Sequence, residues 1–204
     1  MRNDQIGSLR LEIEVHVKGE CVPPPILDFS NCKFDPNLKV NLEIAGYHIP
    51  TPVQMKTIPA ALKRRDILVS KDTGSGKTDS FLIPIDLRCS IIRMQQLSER
   101  SKLLAMVLAP TMELYAQVGE QAKSLGKGFP FKTTLIVGGD AMPRQFYMIK
   151  HGIELIISTL GRLVDLLSKH DIELDDICMI FLDEMDCMLY QGFRNQVMQI
   201  IQAL

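Results

Sequence analysis

A glycine-rich stretch from Ser70 to Thr78 constrains this chain more than any other part of its sequence. It reads Ser-Lys-Asp-Thr-Gly-Ser-Gly-Lys-Thr, follows the apolar run Ile67–Val69 and precedes the helix-like segment Ser80–Ile83. A strand, a glycine turn ending in Gly-Lys-Thr and a helix together form the context of a phosphate-binding loop. Gly74 and Gly76 let the backbone approach a phosphate closely, and the N–H groups at a helix start attract anions. The stretch therefore predicts a phosphate-binding site.

Four side chains in two places suit a nucleoside triphosphate with its magnesium ion. Lys77 can reach the outer phosphates, and the Thr78 hydroxyl is placed to ligate Mg²⁺. Asp183 directly follows the apolar run Ile177–Leu182, and Glu184 comes next. A carboxylate in that position can hold the metal, while its neighbour orients or deprotonates an attacking water. A plain Gly/Ser turn and a solvated acidic turn are the alternatives, but the two motifs together favour triphosphate binding and hydrolysis.

The fold class follows from apolar runs that alternate with helical patterns. Five such runs are predicted as strands: Ile67–Val69, Leu103–Ala109, Thr133–Val137, Leu155–Ile157 and Ile177–Leu182. Strands without polar alternation, joined by helices, indicate a mainly parallel sheet covered on both faces. We therefore expect a three-layer α/β/α fold. Such sheets bind ligands beyond the carboxyl ends of their strands, where the predicted phosphate loop and the Asp183-Glu184 pair both fall.

The region before the phosphate loop divides into an extension and two helices. Residues 1–26 are predicted to be an N-terminal extension, with the alternating run Leu11–Val17 and a stop at Pro23–Pro25. Residues 27–204 are predicted to form the main domain. A helix ending at Gly46 is followed by a second helix, for which Thr51 is the expected N-cap.

Composition narrows the class of protein without pointing to a substrate. The 204 residues are 46% hydrophobic and 23% charged, with a net charge of −1, which fits one globular domain and no bulk attraction to nucleic acid. The longest apolar run has seven residues, and the N-terminus lacks a signal-peptide core, so an intracellular protein, nuclear or cytoplasmic, is expected. The five cysteines show no metal-binding spacing, and Cys89 and Cys178 are predicted to be buried thiols.

Taken in order, these motifs resemble the first RecA-like domain of a DEAD-box ATP-dependent RNA helicase. The resemblance covers the chain from about Val22 to its end. The matching segments are Phe29 with Gly46–Gln54 (the Q motif), Asp72–Thr78 (motif I), Pro110–Leu114 (motif Ia), Gly138-Gly139, Thr159–Arg162 (motif Ib), and Asp183–Asp186 with Gly192-Phe193 (motif II and the segment after it).

The resemblance implies cofactors, a partner and site residues. ATP with Mg²⁺ is the implied ligand, held by Phe29, Tyr47, Gln54, Thr73, Gly74, Ser75, Gly76, Lys77 and Thr78. Gln54 would read adenine and Phe29 would stack on it. Lys77, Asp183 and Glu184 are the implied catalytic residues, with Thr78 and Asp183 as metal ligands. Single-stranded RNA would be held along its backbone, independently of sequence, by Thr111, Gly139, Thr159, Gly161 and Arg162.

This sequence departs from the family pattern at Lys71, Asp79, Met112, Leu160 and Met185. The family usually has Arg where Met112 stands, Pro where Leu160 stands and Ala where Met185 stands. The chain also stops before the second RecA-like domain, so we expect the isolated chain to bind ATP weakly. A truncated or degenerate nucleotide- or RNA-binding module without turnover is the alternative. A P-loop NTPase that acts on DNA or protein is disfavoured by the Q motif.

Overall fold

The chain folds as two compact units, and the computed structural model describes residues 16–95, 101–170 and 172–204. The described part of the first unit comprises residues 16–88 and 124–128. The second unit comprises the described residues of 89–123 and 129–204. Most of the predicted alternating run Leu11–Val17 lies outside the described residues. Residues 22–28, which include the three prolines, adopt no regular element, as predicted.

The first unit is built on the helices α1 (Pro36–Ile44) and α2 (Pro52–Leu62) and the start of α3 (Lys77–Gln95). Helix α1 begins at Asp35, whose carboxylate accepts from the Asn37 amide at 2.8 Å. Gly46, the residue after the C-cap Ala45, has a φ of +78°. The amides of Gly46 and Tyr47 donate to the carbonyls of Glu43 and Leu42, so the predicted glycine stop is confirmed as a Schellman motif.

The segment before the phosphate loop differs from the prediction. Ile67–Val69 forms no strand, and the side chain of Leu68 is 90% exposed. The prediction of a strand here was wrong because a three-residue apolar run does not distinguish a paired strand from an extended surface segment. The phosphate loop is therefore entered from an extended stretch of chain.

The second unit contains a four-stranded parallel sheet. Its strands are β1 (Ala105–Ala109), β2 (Thr133–Ile136), β3 (Leu155–Thr159) and β4 (Met179–Leu182), in the order β2-β3-β1-β4. In the register, Ala109 lies opposite Thr159, and Leu182 lies opposite Leu108. Four of the five predicted strands and the parallel arrangement are confirmed. All four strands therefore end at one edge of the sheet.

One helix of this unit packs against the sheet through regularly spaced leucines. The helices of this unit are α4 (Met112–Leu125), α5 (Met142–Lys150), α6 (Leu160–Lys169), α7 (Met185–Tyr190) and α8 (Arg194–Gln202). Leu160, Leu163 and Leu166 of α6 are buried at a helical spacing and join one core with Met106 and Ile156. Within the described ranges, none of the helices is both long and apolar enough to cross a membrane.

The two predictions of buried cysteines have opposite outcomes. Cys89 in α3 is fully buried, as predicted. Cys178 is exposed, because it immediately precedes β4, which is an edge strand of the sheet. Its amide and its thiol both donate to the Leu104 carbonyl, at 2.9 Å and 3.4 Å, although the residue as a whole is exposed.

An unpaired carboxyl group lies inside the first unit. Asp86 of α3 is 0% exposed, and neither of its oxygens has a hydrogen-bond partner among the described residues. Burial raises the pKa of Asp86 well above its usual range, because the charged form is desolvated without compensation. The folded protein therefore binds this proton more tightly than the unfolded chain does.

We expect the free energy of unfolding to fall as the pH rises above about 4. The proton on Asp86 stabilises the folded state, and it is lost as the pH approaches the raised pKa of the buried carboxyl group. Asp86→Asn should remove this part of the pH dependence and raise stability at pH 8 by about 1–3 kcal/mol. Urea unfolding at pH 5, 6.5 and 8 measures both effects. The exposed Asp165→Asn is the control; equal pH profiles for wild type and Asp86→Asn would contradict the prediction.

Candidate functional site

The predicted phosphate loop contains two glycines with a left-handed backbone. Gly74 and Gly76 have φ values of +81° and +84°, in the left-handed region that favours glycine. Helix α3 begins immediately afterwards at Lys77 and runs for 19 residues, so its first N–H groups face the loop side. The Lys77 ammonium donates to the Lys71 carbonyl at 2.7 Å, which holds the side chain beside the loop.

The start of helix α2 is hydrogen-bonded directly to this loop. Thr51 and Gln54 form a capping box. The backbone N–H of Thr51 donates to the Gln54 side-chain Oε1 at 2.9 Å, and the backbone N–H of Gln54 donates to the Thr51 hydroxyl oxygen at 3.4 Å. The Thr51 hydroxyl then donates to the Ser75 carbonyl at 2.8 Å, and the Gln54 Nε2 donates to the Gly76 carbonyl at 3.4 Å. Thr51 is confirmed as the N-cap. The two predicted nucleotide motifs are thus one hydrogen-bonded structure.

A buried carboxylate completes this cluster. Asp79, in the first turn of α3, is 3% exposed and accepts from the Gln54 Nε2 at 3.4 Å and from the Tyr47 hydroxyl. Burial raises the pKa of Asp79, an effect that the Tyr47 hydrogen bond partly offsets. Burial and the neighbouring Asp79 raise the pKa of Tyr47 to about 12, so the phenol stays protonated at neutral pH.

Phe29 lies in the same unit, in the interior rather than at the surface. Its ring is 4% exposed and lies 6.2 Å from the Phe34 ring in a tilted arrangement. The adjacent backbone is tied to α2, because the Ile26 amide donates to the Met55 carbonyl at 3.0 Å. Stacking of Phe29 on adenine stays a prediction, and it requires the ring to become accessible.

In the second unit, the predicted acidic pair stands at the end of β4. Asp183 is 5% exposed, and its amide donates to the Leu108 carbonyl, which continues the pairing of β4 with β1. Glu184 caps α7 with φ +49° and ψ +51°, a left-handed conformation that is uncommon for residues other than glycine. Strained backbone of this kind is concentrated at functional sites.

The five predicted RNA-binding residues lie at or just beyond the carboxyl ends of the three neighbouring strands β2, β3 and β1. Thr111 caps α4 by accepting from the Leu114 amide at 3.3 Å. The Arg162 guanidinium donates to the Asp140 carbonyl at 2.9 Å, which joins the start of α6 to the loop that contains Gly139. Thr159 ends β3, and Gly161 is exposed in the first turn of α6. The sheet therefore brings these residues to one edge.

Sequence reasoning missed two features of the site. The bond from Thr51 to Ser75 joins residues 24 positions apart, and no local pattern signals it. The role of Asp79 was missed as well, although a signal existed, since an aspartate directly after Gly-Lys-Thr is a departure from the family pattern.

A parallel α/β sheet together with a glycine-rich loop that opens a helix defines the class of RecA-like P-loop domains. The family model of the DEAD/DEAH box helicases matches residues 51–204. This chain therefore belongs to the DEAD/DEAH box helicase family.

Individual relatives agree with this assignment. The chain is 59% identical over 199 residues to DEAD-box ATP-dependent RNA helicase 41 of Arabidopsis thaliana, covering 96% of this chain and 39% of the relative. It is 41% identical to the human probable ATP-dependent RNA helicase DDX59, covering 100% of this chain and 32% of that protein. The crystal structure of the RNA helicase Prp28 from Chaetomium thermophilum bound to ADP superposes with a TM-score of 0.87 at 30% identity. That match covers all of this chain and 50% of the other. The chain thus spans only 39% and 32% of the lengths of the Arabidopsis and human relatives.

The two loop glycines provide a matched test of the contact with the capping box. A Cβ at Gly76 would lie 2.6 Å from Gln54 Nε2 and 3.0 Å from Thr51 Oγ1, whereas a Cβ at Gly74 would meet nothing within 4 Å. Because both glycines have similar positive φ values, both alanine variants carry a backbone cost of about 1–2 kcal/mol. Gly76→Ala should lose at least a further 1 kcal/mol of stability. Urea unfolding measures this difference, and equal losses would contradict the contact.

Proposed function

We propose that this chain is the ATP-binding domain of an ATP-dependent RNA helicase that hydrolyses ATP to remodel RNA duplexes or RNA–protein complexes. The observation that supports this most is the hydrogen-bonded connection between Thr51-Gln54 and the loop at Ser75-Gly76. An amide that can recognise adenine is thereby held against the backbone that receives the phosphates. A general phosphate-binding loop needs no such group.

The residues fit a magnesium-bound triphosphate. Gly74 and Gly76 hold the loop backbone in the left-handed region, and Lys77 supplies a positive charge beside it. By residue type, the Thr78 hydroxyl of the first unit and the Asp183 carboxylate of the second are each oxygen donors of the kind that Mg²⁺ prefers. The metal would supply charge neutralisation on the phosphates, and Glu184 is assigned to orient the attacking water. The left-handed backbone at Glu184 supports a functional assignment for this turn.

RNA is the proposed partner, held by its backbone. The candidate residues present hydroxyl groups, glycine backbone and one guanidinium at the carboxyl edge of the sheet. Such groups contact phosphates and sugars without reading bases. A net charge of −1 is compatible with this mode, because few contacts are made and 2′-hydroxyls add to them. An intracellular location, in the nucleus or the cytoplasm, follows from this proposal.

A nucleotide- or RNA-binding module without turnover is the second candidate. Met112 and Met185 favour it, since they are 50% and 38% exposed and stand where the family usually has Arg and Ala. An ATPase assay with and without RNA separates the two candidates. Saturable ATP binding without RNA-stimulated hydrolysis in the full protein would support the module and contradict the helicase.

Lys77→Ala tests the phosphate assignment. We expect the dissociation constant for ATP–Mg²⁺ to rise about ten- to a hundredfold, because a charge-assisted contact to phosphate is lost. Isothermal titration calorimetry on the chain measures it. Lys63→Ala, which removes an exposed lysine just after α2, is the matched control and should bind as the wild type does. Unchanged affinity in Lys77→Ala would refute the site.

Met112→Arg tests the RNA assignment. An arginine at this exposed first position of α4, next to Thr111, should raise RNA affinity about two- to fivefold at low salt and less at high salt. RNA-stimulated ATPase activity should rise in parallel. Met198→Arg adds the same charge at an exposed methionine of α8 and controls for general electrostatics. An equal gain in both variants would argue against RNA contact at Thr111.

A further inference from the structure

Asp79 occupies a position from which it controls the hydrogen bonding of Gln54. Its carboxylate lies one residue beyond Thr78, is nearly inaccessible to solvent, and accepts from Gln54 Nε2 and from the Tyr47 hydroxyl. Its second oxygen, Oδ1, is buried and has no hydrogen-bond partner among the described residues. A carboxylate only accepts hydrogen bonds, so it fixes the Gln54 amide with its nitrogen towards Asp79.

The hydrogen-bonding capacity of the Gln54 side chain is then almost exhausted. A glutamine amide has two N–H donors and an oxygen with two acceptor positions. Both donors are engaged, one by the Gly76 carbonyl and one by Asp79, each at 3.4 Å. One acceptor position of Oε1 takes the Thr51 amide at 2.9 Å. A single acceptor position on Oε1 remains, on a residue that is 2% exposed, so contact with a base requires this side chain, like Phe29, to become accessible.

An adenine edge offers two groups to such an amide: the N6 amino donor and the N7 acceptor, which glutamine can bind together. With its donors engaged, Gln54 can meet only the amino group. Without Asp79, one N–H would be released and could also reach N7. The atypical aspartate thus changes how many of the adenine groups this side chain can bind.

We propose that Asp79 is a specificity-determining residue that restricts Gln54 to a single contact with the base, acceptance of a hydrogen bond from the exocyclic amino group. This inference rests on the proposed function, since it takes Gln54 as the group that meets the base. It predicts a mode of adenine recognition that is insensitive to the ring nitrogen N7.

The test compares ATP with 7-deaza-ATP, which lacks N7 but keeps the amino group. Wild type should bind the two nucleotides within about twofold of each other. In Asp79→Ala the released N–H should favour ATP over 7-deaza-ATP by about three- to tenfold, the range of one net hydrogen bond. Asp79→Asn is the conservative control: its carbonyl oxygen can still accept from Gln54 Nε2, so the ratio should stay near that of wild type.

Calorimetric titration gives the four dissociation constants needed for each comparison, and thermal unfolding verifies that the variants are folded. A wild type that already discriminates against 7-deaza-ATP, or an alanine variant whose ratio is unchanged, would overturn the role of Asp79 while leaving ATP binding intact. A wild type that binds neither nucleotide would overturn the proposed function itself. Should Asp79→Ala fail to fold, discrimination by wild type alone still decides the inference, because only a free N–H produces it.

Discussion

The hydrogen bond from the Thr51 hydroxyl to the Ser75 carbonyl, 2.8 Å long, is the interaction on which the candidate nucleotide site depends. The loop that it holds contains two residues with positive φ and is entered from an exposed, extended segment, so it has little regular structure to define its shape. The helix start on the other side is held by the capping box, which satisfies the backbone N–H groups of Thr51 and Gln54. One side chain thus serves as the N-cap of a helix and as the support of an irregular loop.

In the second unit the corresponding constraint is the parallel register of the sheet. Pairing Ala109 with Thr159 and Leu182 with Leu108 makes every strand end at the same edge. The residues that follow the strands are therefore neighbours at this edge, although they are far apart in the sequence. The bond from Arg162 to the Asp140 carbonyl links the start of helix α6, which follows β3, to the loop that follows β2.

Sequence patterns predict the second unit better than the first, for a physical reason. Runs such as Leu103–Leu108 are buried on both faces of a parallel sheet, and such burial requires unbroken apolar sequence. The stretch Ile67–Val69 has the same composition but lies exposed, because composition does not supply a partner strand. Helix ends were predictable where the stop signal is local, as at Gly46. The bonds from Gln54 and Thr51 to the loop were not, since they arise from packing of distant segments.

The departures from the family pattern are of two physical kinds. Asp79 and Leu160 are 3% and 2% exposed, and their neighbours are adapted to them: Tyr47 and Gln54 donate to the carboxylate, while Leu160 fills part of the core. Replacing either would leave unpaired donors or a cavity. Met112 and Met185 are exposed, and replacing them changes only what the surface offers to a ligand. The buried departures are therefore part of the packing of this chain, whereas the exposed ones can change contacts with a ligand without disturbing that packing. Restoring the family residue at Met112 therefore tests ligand contacts, while restoring it at Leu160 would also disturb the core.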